Sequence, residues 1–327
     1  MADLQTATAT EAELEQYRPQ LTGYCYRMLG SAFEAEDAVQ ETMLRAWRNL
    51  DQFDGRAAMK SWLYRIATNV CLTMLDGRKR RARPMDVGGP GSATNPELGT
   101  LPEATWLEPM PDGRVLAEEQ DDPVEAAISR ETLRLAFVAA LQHLPARQRA
   151  VLILREVLRW KAGEVAELLD TSVASVNSAL QRARATIAAS GASPDGPAAP
   201  MDQADRALLA RYVDAFEHFD IDALVALLHE DAMLSMPPYE LWLRGAEELR
   251  AWYLGTGRHC EGSRLVAISA NGSPAFAQYR SSAAGGHEAW ALQILDLSGG
   301  KITAINSFLD TARLFPLFGL PLRLEAA

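Results

Sequence analysis

The stretch EVAELLDTSVASVNSALQRARATI, residues 164–187, has the pattern of two short helices joined by a tight turn. Asp170 stands where the turn needs a residue that tolerates a left-handed backbone, and Ser172 is a good N-cap for the second helix. At about 100° per residue, the second helix turns these side chains inward: Val176, Ala179, Leu180, Ala183 and Ile187. Such a helix packs on its own domain and presents its other side to the major groove of DNA.

The outward side of this helix carries small polar, amide and guanidinium groups. Asn177 and Gln181 match adenine edges, and Arg182 matches guanine. Hydroxyl groups and Arg184 suit backbone phosphates, which set register rather than sequence. The predicted DNA-binding residues are Ser172, Ser175, Asn177, Ser178, Gln181, Arg182 and Arg184. The alternative is a helix pair used only for protein contact.

Pattern and composition divide the 327 residues into five segments. Residues 11–83 and 124–190 are predicted to be two all-α helical domains, the second with the helix-turn-helix. Residues 84–123 are rich in proline, glycine and acidic residues, which predicts a linker. Residues 191–200, GASPDGPAAP, predict a hinge, and a domain of mixed character is expected at 201–327.

Charge is distributed unevenly along the chain, whose net charge is −11. Residues 1–83 carry 12 Lys+Arg against 11 Asp+Glu, residues 124–190 carry 9 against 6, and the linker carries 1 against 9. Because nucleic-acid binding depends on local charge, the acidic total does not exclude it. Three widely spaced cysteines without a CxxC pair predict neither a disulfide framework nor a zinc site. No apolar run approaches the length of a membrane span.

Two amphipathic helices are predicted in the first block. A helix over about residues 34–50 has an apolar side formed by Val39, Met43, Ala46 and Trp47. The opposite side of that helix carries Asp37, Gln40 and Glu41. The next helix repeats Trp62, Ile66, Val70 and Met74 at four-residue steps, which predicts Trp62 as a core residue. It is expected to end near Gly77, before the basic string RKRRAR at 78–83.

Four strings resemble, in order and spacing, an extracytoplasmic-function sigma factor, the smallest type of bacterial promoter-specificity subunit. They are AEDAVQETMLRAW (35–47), SWLYRIATNVCLTML (61–75), LPARQRAVLILREV (144–157) and the helix pair at 164–187. Asp170 departs from the glycine of many members. The linker string WLEPMPD (106–112) and the C-terminal block resemble the subgroup that carries a SnoaL-like domain.

The resemblance implies a role for each block. Asp37, Gln40 and Glu41 are expected to dock on core RNA polymerase, with a solvated helix face as the alternative. The helix pair is expected to read the −35 element of promoter DNA. The residues expected to open and hold the −10 element are Lys60, Arg65, Asn69, Arg78, Lys79, Arg80 and Arg81. For Asn69, a cap on local backbone is the alternative. Loop residues 54–59 are expected to form a base pocket. The linker is either threaded near the polymerase active centre or a solvated tether.

The C-terminal block predicts an α+β SnoaL-like, cone-shaped barrel. A helix over 202–228 is expected first, then a strand, a helix at 246–254 and four further strands. Tyr239, Trp242, Trp252 and Trp290 either line a ligand pocket or form core. His229, Asp231 and His287 are the candidates for an acid/base pair, against which turn and strand-end roles weigh. Tethering favours a regulatory domain that contacts the sigma domains.

The sequence therefore predicts a sigma initiation factor that is not an enzyme. Its expected partners are core RNA polymerase, the −35 and −10 promoter elements, and its own C-terminal domain. No cofactor, no metal and no membrane contact are expected, and the location is expected to be cytoplasmic. The competing classes are an enzyme with a helical DNA-binding fusion, and a one-component regulator that works without polymerase.

Overall fold

The computed structural model describes residues 13–50, 53, 58–116, 123–189 and 201–325, which form two compact units. The first unit contains the described residues up to Arg81 and those from Asp112 to Ala189. The second unit contains Ala82–Pro111 and the described residues from 201 onward. The expected architecture, helical blocks followed by an α+β domain, is confirmed.

The first unit is helical. Its first block contains α1 (Arg18–Leu29), α2 (Ala32–Arg48) and α3 (Met59–Leu75). Its second block contains α4 (Pro123–Glu131), α5 (Leu135–Gln142), α6 (Ala146–Leu152) with a π-helical turn at Ile153–Val157, α7 (Ala162–Leu168) and α8 (Val173–Ala189).

The turn between α7 and α8 follows the sequence prediction. Asp170 has φ +50°, the left-handed conformation that the turn requires. Ser172 caps α8, because its Oγ accepts the backbone N–H of Ser175 at 3.1 Å. Inside the unit, α8 buries Val176, Leu180, Ala183 and Ile187. Ala179 is only half-buried.

The apolar side of α2 is narrower than predicted. Val39, Met43 and Ala46 are buried, but Trp47 is 63% exposed. Trp47 follows Gln40 and Leu44 at i, i+4 and i+7, which is a second stripe of the same helix. The placement of Trp47 on the apolar side was therefore wrong. Val39, Met43 and Ala46 lie at i, i+4 and i+7 on the buried side, and Trp47, one residue later, already faces solvent.

Two buried arginines join the helical blocks. Arg27 on α1 is 4% exposed and donates to Thr132 Oγ1 at 2.9 Å and to Ser129 O at 3.1 Å. Arg149 on α6 is also 4% exposed; it donates to Gln142 Oε1 at 2.6 Å and to Met28 O. Burial lowers the pKa of each guanidinium to about 10, so both stay protonated at neutral pH.

The second unit is a mixed seven-stranded sheet between helices. Its strands are β1 (Leu228–Ser235), β2 (Trp242–Arg244), β3 (Arg264–Ala270), β4 (Ser273–Ser281), β5 (His287–Ser298), β6 (Lys301–Phe308) and β7 (Arg323–Leu324). The strand order is β2-β1-β6-β5-β4-β3, and β7 pairs with β5. Only β1 and β6 pair in parallel.

Helices cover both faces of this sheet. They are α9 (Gln203–Glu217), α10 (Ile221–Leu227), α11 (Ala246–Leu254) and α12 (Thr311–Leu317). On one face the Tyr212 ring lies 5.6 Å from Phe276, and on the other the Phe315 ring lies 5.2 Å from Tyr279. The single helix predicted over 202–228 was wrong, because the chain breaks between α9 and α10 at Phe219, which has φ +55°.

The middle of the linker belongs to the second unit. We call Ala82–Pro111 the strap. It contains short 3₁₀ turns at Pro84–Asp86 and Glu103–Thr105, and it buries Trp106, Leu107 and Met110. Neither an extended thread nor a solvated tether describes this segment, because its apolar residues pack on the C-terminal domain.

Among the described helices, none has the length and hydropathy of a membrane-crossing segment.

Replacing Arg27 tests the junction of the helical blocks. Arg27→Met is expected to lower the free energy of unfolding by about 2–4 kcal/mol, because it leaves buried acceptors on both blocks without a donor. Thermal unfolding followed by far-UV circular dichroism measures the change. Arg48→Met, at an exposed arginine, is the control. If both variants had the same free energy of unfolding, a structural role for Arg27 would be contradicted.

Candidate nucleic-acid interface

Helix α8 presents the polar side that its sequence predicts. Asn177, Ser178, Gln181 and Arg182 are all exposed. Arg182 Nη1 donates to Ser178 Oγ at 2.6 Å, which holds the guanidinium along the helix surface. The amide and guanidinium groups thus line one solvent-facing stripe, where they can reach base edges in a major groove.

The flanking residues of α8 have internal partners. Ser172 and Ser175 form a hydroxyl pair at 2.9 Å at the N-terminus of the helix. Arg184 Nη2 donates to Glu156 Oε1, in the π-helical turn, at 2.6 Å. A phosphate at Arg184 would therefore share this guanidinium with a carboxylate, which weakens that contact.

A cavity of about 320 Å³ lies between α2 and α3. Its lining residues are Arg45, Asn49, Trp62, Ile66 and Asn69. The four-residue stripe predicts Trp62 as core, yet the Trp62 ring is only half-buried and lies 5.1 Å from the Phe53 ring. The cavity combines a ring face, two amides and a guanidinium, which are the groups that hold an unstacked base. Of the loop expected to form a pocket, residues 54–57 lie outside the described part of the chain.

Arg45 and Asn49 were missed at the sequence level. Arg45 lies in the last turn of α2 and Asn49 caps its C-terminus four residues later, whereas the predicted −10 residues all lie on or after α3. Their spacing matches one helix face, but only the packing of α2 against α3 brings that face to Asn69. The sequence signal was an amide at the end of α2 that the apolar stripe does not use.

The predicted −10 cations divide into paired and exposed groups. Arg78 and Arg81 both pair with Glu34, at 2.5 and 3.0 Å. Arg81 is 8% exposed, so it braces α2 rather than facing solvent. Lys79 is exposed, and Lys60 is half-exposed.

Two more of these cations contact the second helical block. Arg65 Nη2 donates to Glu167 O at 3.3 Å, and it lies 3.7 Å from the Glu167 carboxylate. Arg80 Nη1 lies 2.5 Å from His143 Nδ1. DNA that used Arg65 and Arg80 would have to take both away from the second block.

A groove of about 420 Å³ crosses the exposed stripe of α2. Its lining residues are Leu14, Glu15, Arg18, Gln40, Met43, Leu44 and Trp47. Of the predicted docking residues, Gln40 lies in the groove and Asp37 is exposed one turn before it. Glu41 pairs instead with Arg45 at 2.6 Å. The groove joins a large apolar surface to polar groups, as protein interfaces do.

The four aromatic residues predicted for a C-terminal pocket do not meet in one place. Trp242 Nε1 donates to Gly88 O at 2.9 Å, and Tyr239 bridges Thr100, so both contact the strap. Trp252 is part of the core. Trp290 is 40% exposed, and Arg280 lies 4.0 Å over its ring.

In the polar interior of the C-terminal domain, four side chains form a chain of hydrogen bonds. Tyr212 donates to Gln293 Oε1 at 2.7 Å, Gln293 to Gln278 Oε1 at 2.9 Å, and Gln278 to Ser263 Oγ at 3.0 Å. The candidate acid/base residues lie elsewhere. His229 and Asp231 are exposed on β1, where Arg244 pairs with Asp231, and His287 begins β5.

Family models match all three domains. The model for sigma-70 region 2 matches residues 14–81, and that for sigma-70 region 4 matches residues 134–187. The model for the SnoaL-like domain matches residues 209–305.

Similar proteins match nearly the whole chain. The ECF RNA polymerase sigma factor SigG of Mycobacterium tuberculosis is 46% identical over 315 residues, covering 95% of this chain and 83% of SigG. SigJ of the same organism is 28% identical over 250 residues, covering 75% of this chain and 72% of SigJ. The crystal structure of SigJ covers 95% of this chain and 99% of that one, with a TM-score of 0.61 at 24% identity, which shows the shared fold.

Replacing Arg81 tests whether its pairing with Glu34 stabilises the first helical block. Arg81→Gln is expected to lower the free energy of unfolding by about 1–3 kcal/mol, because Glu34 loses a buried partner. Lys79→Gln, at the exposed neighbour, is expected to change it by less than about 0.5 kcal/mol. Thermal unfolding checks both, and a stable Arg81→Gln protein would exclude the bracing role.

Proposed function

Since the chain belongs to the extracytoplasmic-function RNA polymerase sigma factors, we propose that it binds core RNA polymerase and directs it to promoters. The cavity between α2 and α3 carries this proposal. An ordinary DNA-binding regulator reads closed duplex and has no use for a base pocket, whereas promoter opening needs one.

The groove on α2 is the proposed docking site for core polymerase. Trp47 and Leu44 expose apolar surface whose burial against a partner helix would be favourable. Asp37 and Gln40 flank this surface and offer acceptors to arginines of the partner. Glu41 supports the site less directly, because its carboxylate is engaged by Arg45.

The −10 element is proposed to bind across α3. Asn69 and Trp62 would hold the extruded base, with Arg45 and Asn49 closing the cavity around it. Phosphates of the released strand would take the exposed cations Lys60 and Lys79 first. Arg65, Arg78 and Arg80 would add contacts once their present partners give way, and Arg81 would position α2.

The −35 element is proposed to bind the exposed stripe of α8. Asn177, Gln181 and Arg182 would read base edges, because their side chains have the donors and acceptors that adenine and guanine match. Ser172, Ser175, Ser178 and Arg184 would contact phosphates and set the register.

The domain assignment completes the proposal. We assign 11–83 to region 2, 84–123 to the linker, 124–190 to region 4, 191–200 to a hinge and 201–327 to a SnoaL-like regulatory domain. Residues 191–200 lie outside the described part of the chain. The chain is proposed to act in the cytoplasm, to modulate its activity through the fused domain, and to perform no covalent chemistry. Support for the last point is that His229 and Asp231 are exposed on β1 and that the Asp231 carboxylate is paired with Arg244.

Replacing Trp47 tests polymerase docking. Trp47→Ala is expected to weaken binding to core polymerase by about 30-fold or more, which is the effect of losing a central aromatic anchor worth about 2 kcal/mol. Fluorescence anisotropy of the labelled chain measures the affinity. Trp290→Ala is the matched control, since it removes another exposed tryptophan from the C-terminal domain. Equal affinities for the two variants would exclude the groove as the docking site.

Replacing Asn69 tests the base pocket. Asn69→Ala is expected to reduce promoter opening at least about 10-fold, because the extruded base loses a hydrogen-bonding partner in the cavity. Permanganate reactivity of −10 thymines measures opening, and a gel-shift at low temperature measures closed-complex binding, which should change little. Thr73→Ala, one turn further along α3, is the control. Normal opening by Asn69→Ala would rule out this cavity.

A further inference from the structure

The strap is a closed loop. Ala82 N donates to Thr105 O at 2.7 Å, and Leu107 N donates to Ala82 O at 3.0 Å. The 30 residues from Ala82 to Pro111 therefore begin and nearly end at the same place. Of this segment, only the residues after Leu107 add to the distance that the chain can span.

The first half of the strap is held on the C-terminal domain. Gly91 N donates to Trp242 O at 2.8 Å, and Trp242 Nε1 donates to Gly88 O at 2.9 Å. Ala93 N donates to Glu248 Oε2 at 2.8 Å. The fit is close, because a Cβ on Gly91 would lie 2.4 Å from Leu241 Cδ1.

The second half is held by backbone pairing. Leu101 N donates to Pro238 O at 3.2 Å, and Glu240 N donates to Gly99 O at 2.9 Å. Near the end of the strap, Met110 N donates to Asn271 Oδ1 at 2.9 Å and Met110 O accepts from Asn271 N at 3.0 Å. The C-terminal domain thus binds the strap along its length.

The residues that flank the strap in sequence pair with one helix of the first block. Arg81, directly before the strap, pairs with Glu34 on α2. Arg114, just after it, pairs with Glu36 on the same helix.

The docked strap limits how far the two helical blocks can separate. The −35 and −10 elements are about 25 base pairs apart, or about 85 Å of B-DNA at 3.4 Å per base pair. Each block is about 25 Å across, so the connection must span about 60 Å. With the loop closed at Ala82 and Leu107, the 15 residues from Glu108 to Asp122 remain, and they reach about 50 Å at most. Residues 82–122 would reach about 140 Å.

We infer that the C-terminal domain stores the linker as a docked strap, and that the strap must be released before both helical blocks can read one promoter. The inference rests on the proposed function and names the segment through which the C-terminal domain acts. Docking of the strap then inhibits initiation, because the closed loop makes the connection between the two helical blocks shorter than the distance between the two promoter elements.

A reversible lock tests the inference in the full chain. Ala82 and Trp106 are paired in a parallel bridge, flanked by the Ala82–Thr105 and Leu107–Ala82 hydrogen bonds. Paired strands lie about 4.8 Å apart, within the Cα range of a disulfide. The double variant Ala82→Cys with Trp106→Cys, oxidised with glutathione disulfide, should therefore keep the loop closed.

The oxidised variant is expected to initiate at least 10-fold less at a promoter with both elements, and to recover fully on reduction with dithiothreitol. Its affinity for core polymerase should stay within 3-fold, because the α2 groove is untouched. The two single variants, treated alike, control for other thiol chemistry. Run-off transcription and anisotropy supply the two readouts.

The possible outcomes separate the inference from the function on which it rests. Equal initiation by the oxidised and reduced forms would overturn the inference and leave the sigma factor function intact. Loss of core binding by the oxidised form would also overturn it, since the lock would then act on docking rather than on reach. If wild-type and reduced proteins neither bind core polymerase nor initiate, the proposed function itself fails.

Discussion

The helical unit depends on two buried guanidinium groups whose Nη atoms donate to neutral oxygen atoms. Arg27 reaches from α1 to Ser129 and Thr132, and Arg149 reaches from α6 back to Met28. Each group needs several acceptors in fixed directions, because a buried cation with missing hydrogen bonds is costly. The blocks therefore have one well-defined packing. Separation returns these groups to water, which replaces the lost acceptors, so the arrangement is specific without being permanent.

Arginines nearer the surface also have partners within the protein. All four arginines expected to contact the −10 element have protein partners: Arg65 and Arg80 on the second block, and Arg78 and Arg81 on Glu34. Promoter DNA would offer these groups phosphates in exchange for carboxylate, carbonyl and imidazole partners. The free chain thus keeps these four positive charges engaged internally. Of the four, only Arg65 and Arg80 contact the second block, so DNA that took these two would also remove contacts between the blocks.

The linker between the two helical blocks belongs, over residues 82–111, to the same unit as the C-terminal domain. In the C-terminal domain Tyr239 and Trp242 contact the strap, and a chain of hydrogen bonds runs through the interior from Tyr212 to Ser263. The acidic, proline-rich composition predicts a segment without structure of its own. It becomes ordered because Trp106, Leu107 and Met110 find apolar surface on another domain.

The sequence by itself determined the helical and strand periodicities, the left-handed turn at Asp170 and the cap at Ser172, because these depend on neighbours within a few residues. It also placed the polar stripe of α8 correctly, since a helix fixes which residues share a side. Tertiary structure alone decided that Trp47 faces solvent, that Arg45 and Asn49 meet Asn69, and that Arg27 is buried. Those outcomes depend on residues far away in the chain, and local pattern carries no record of which distant surface will cover a given side chain.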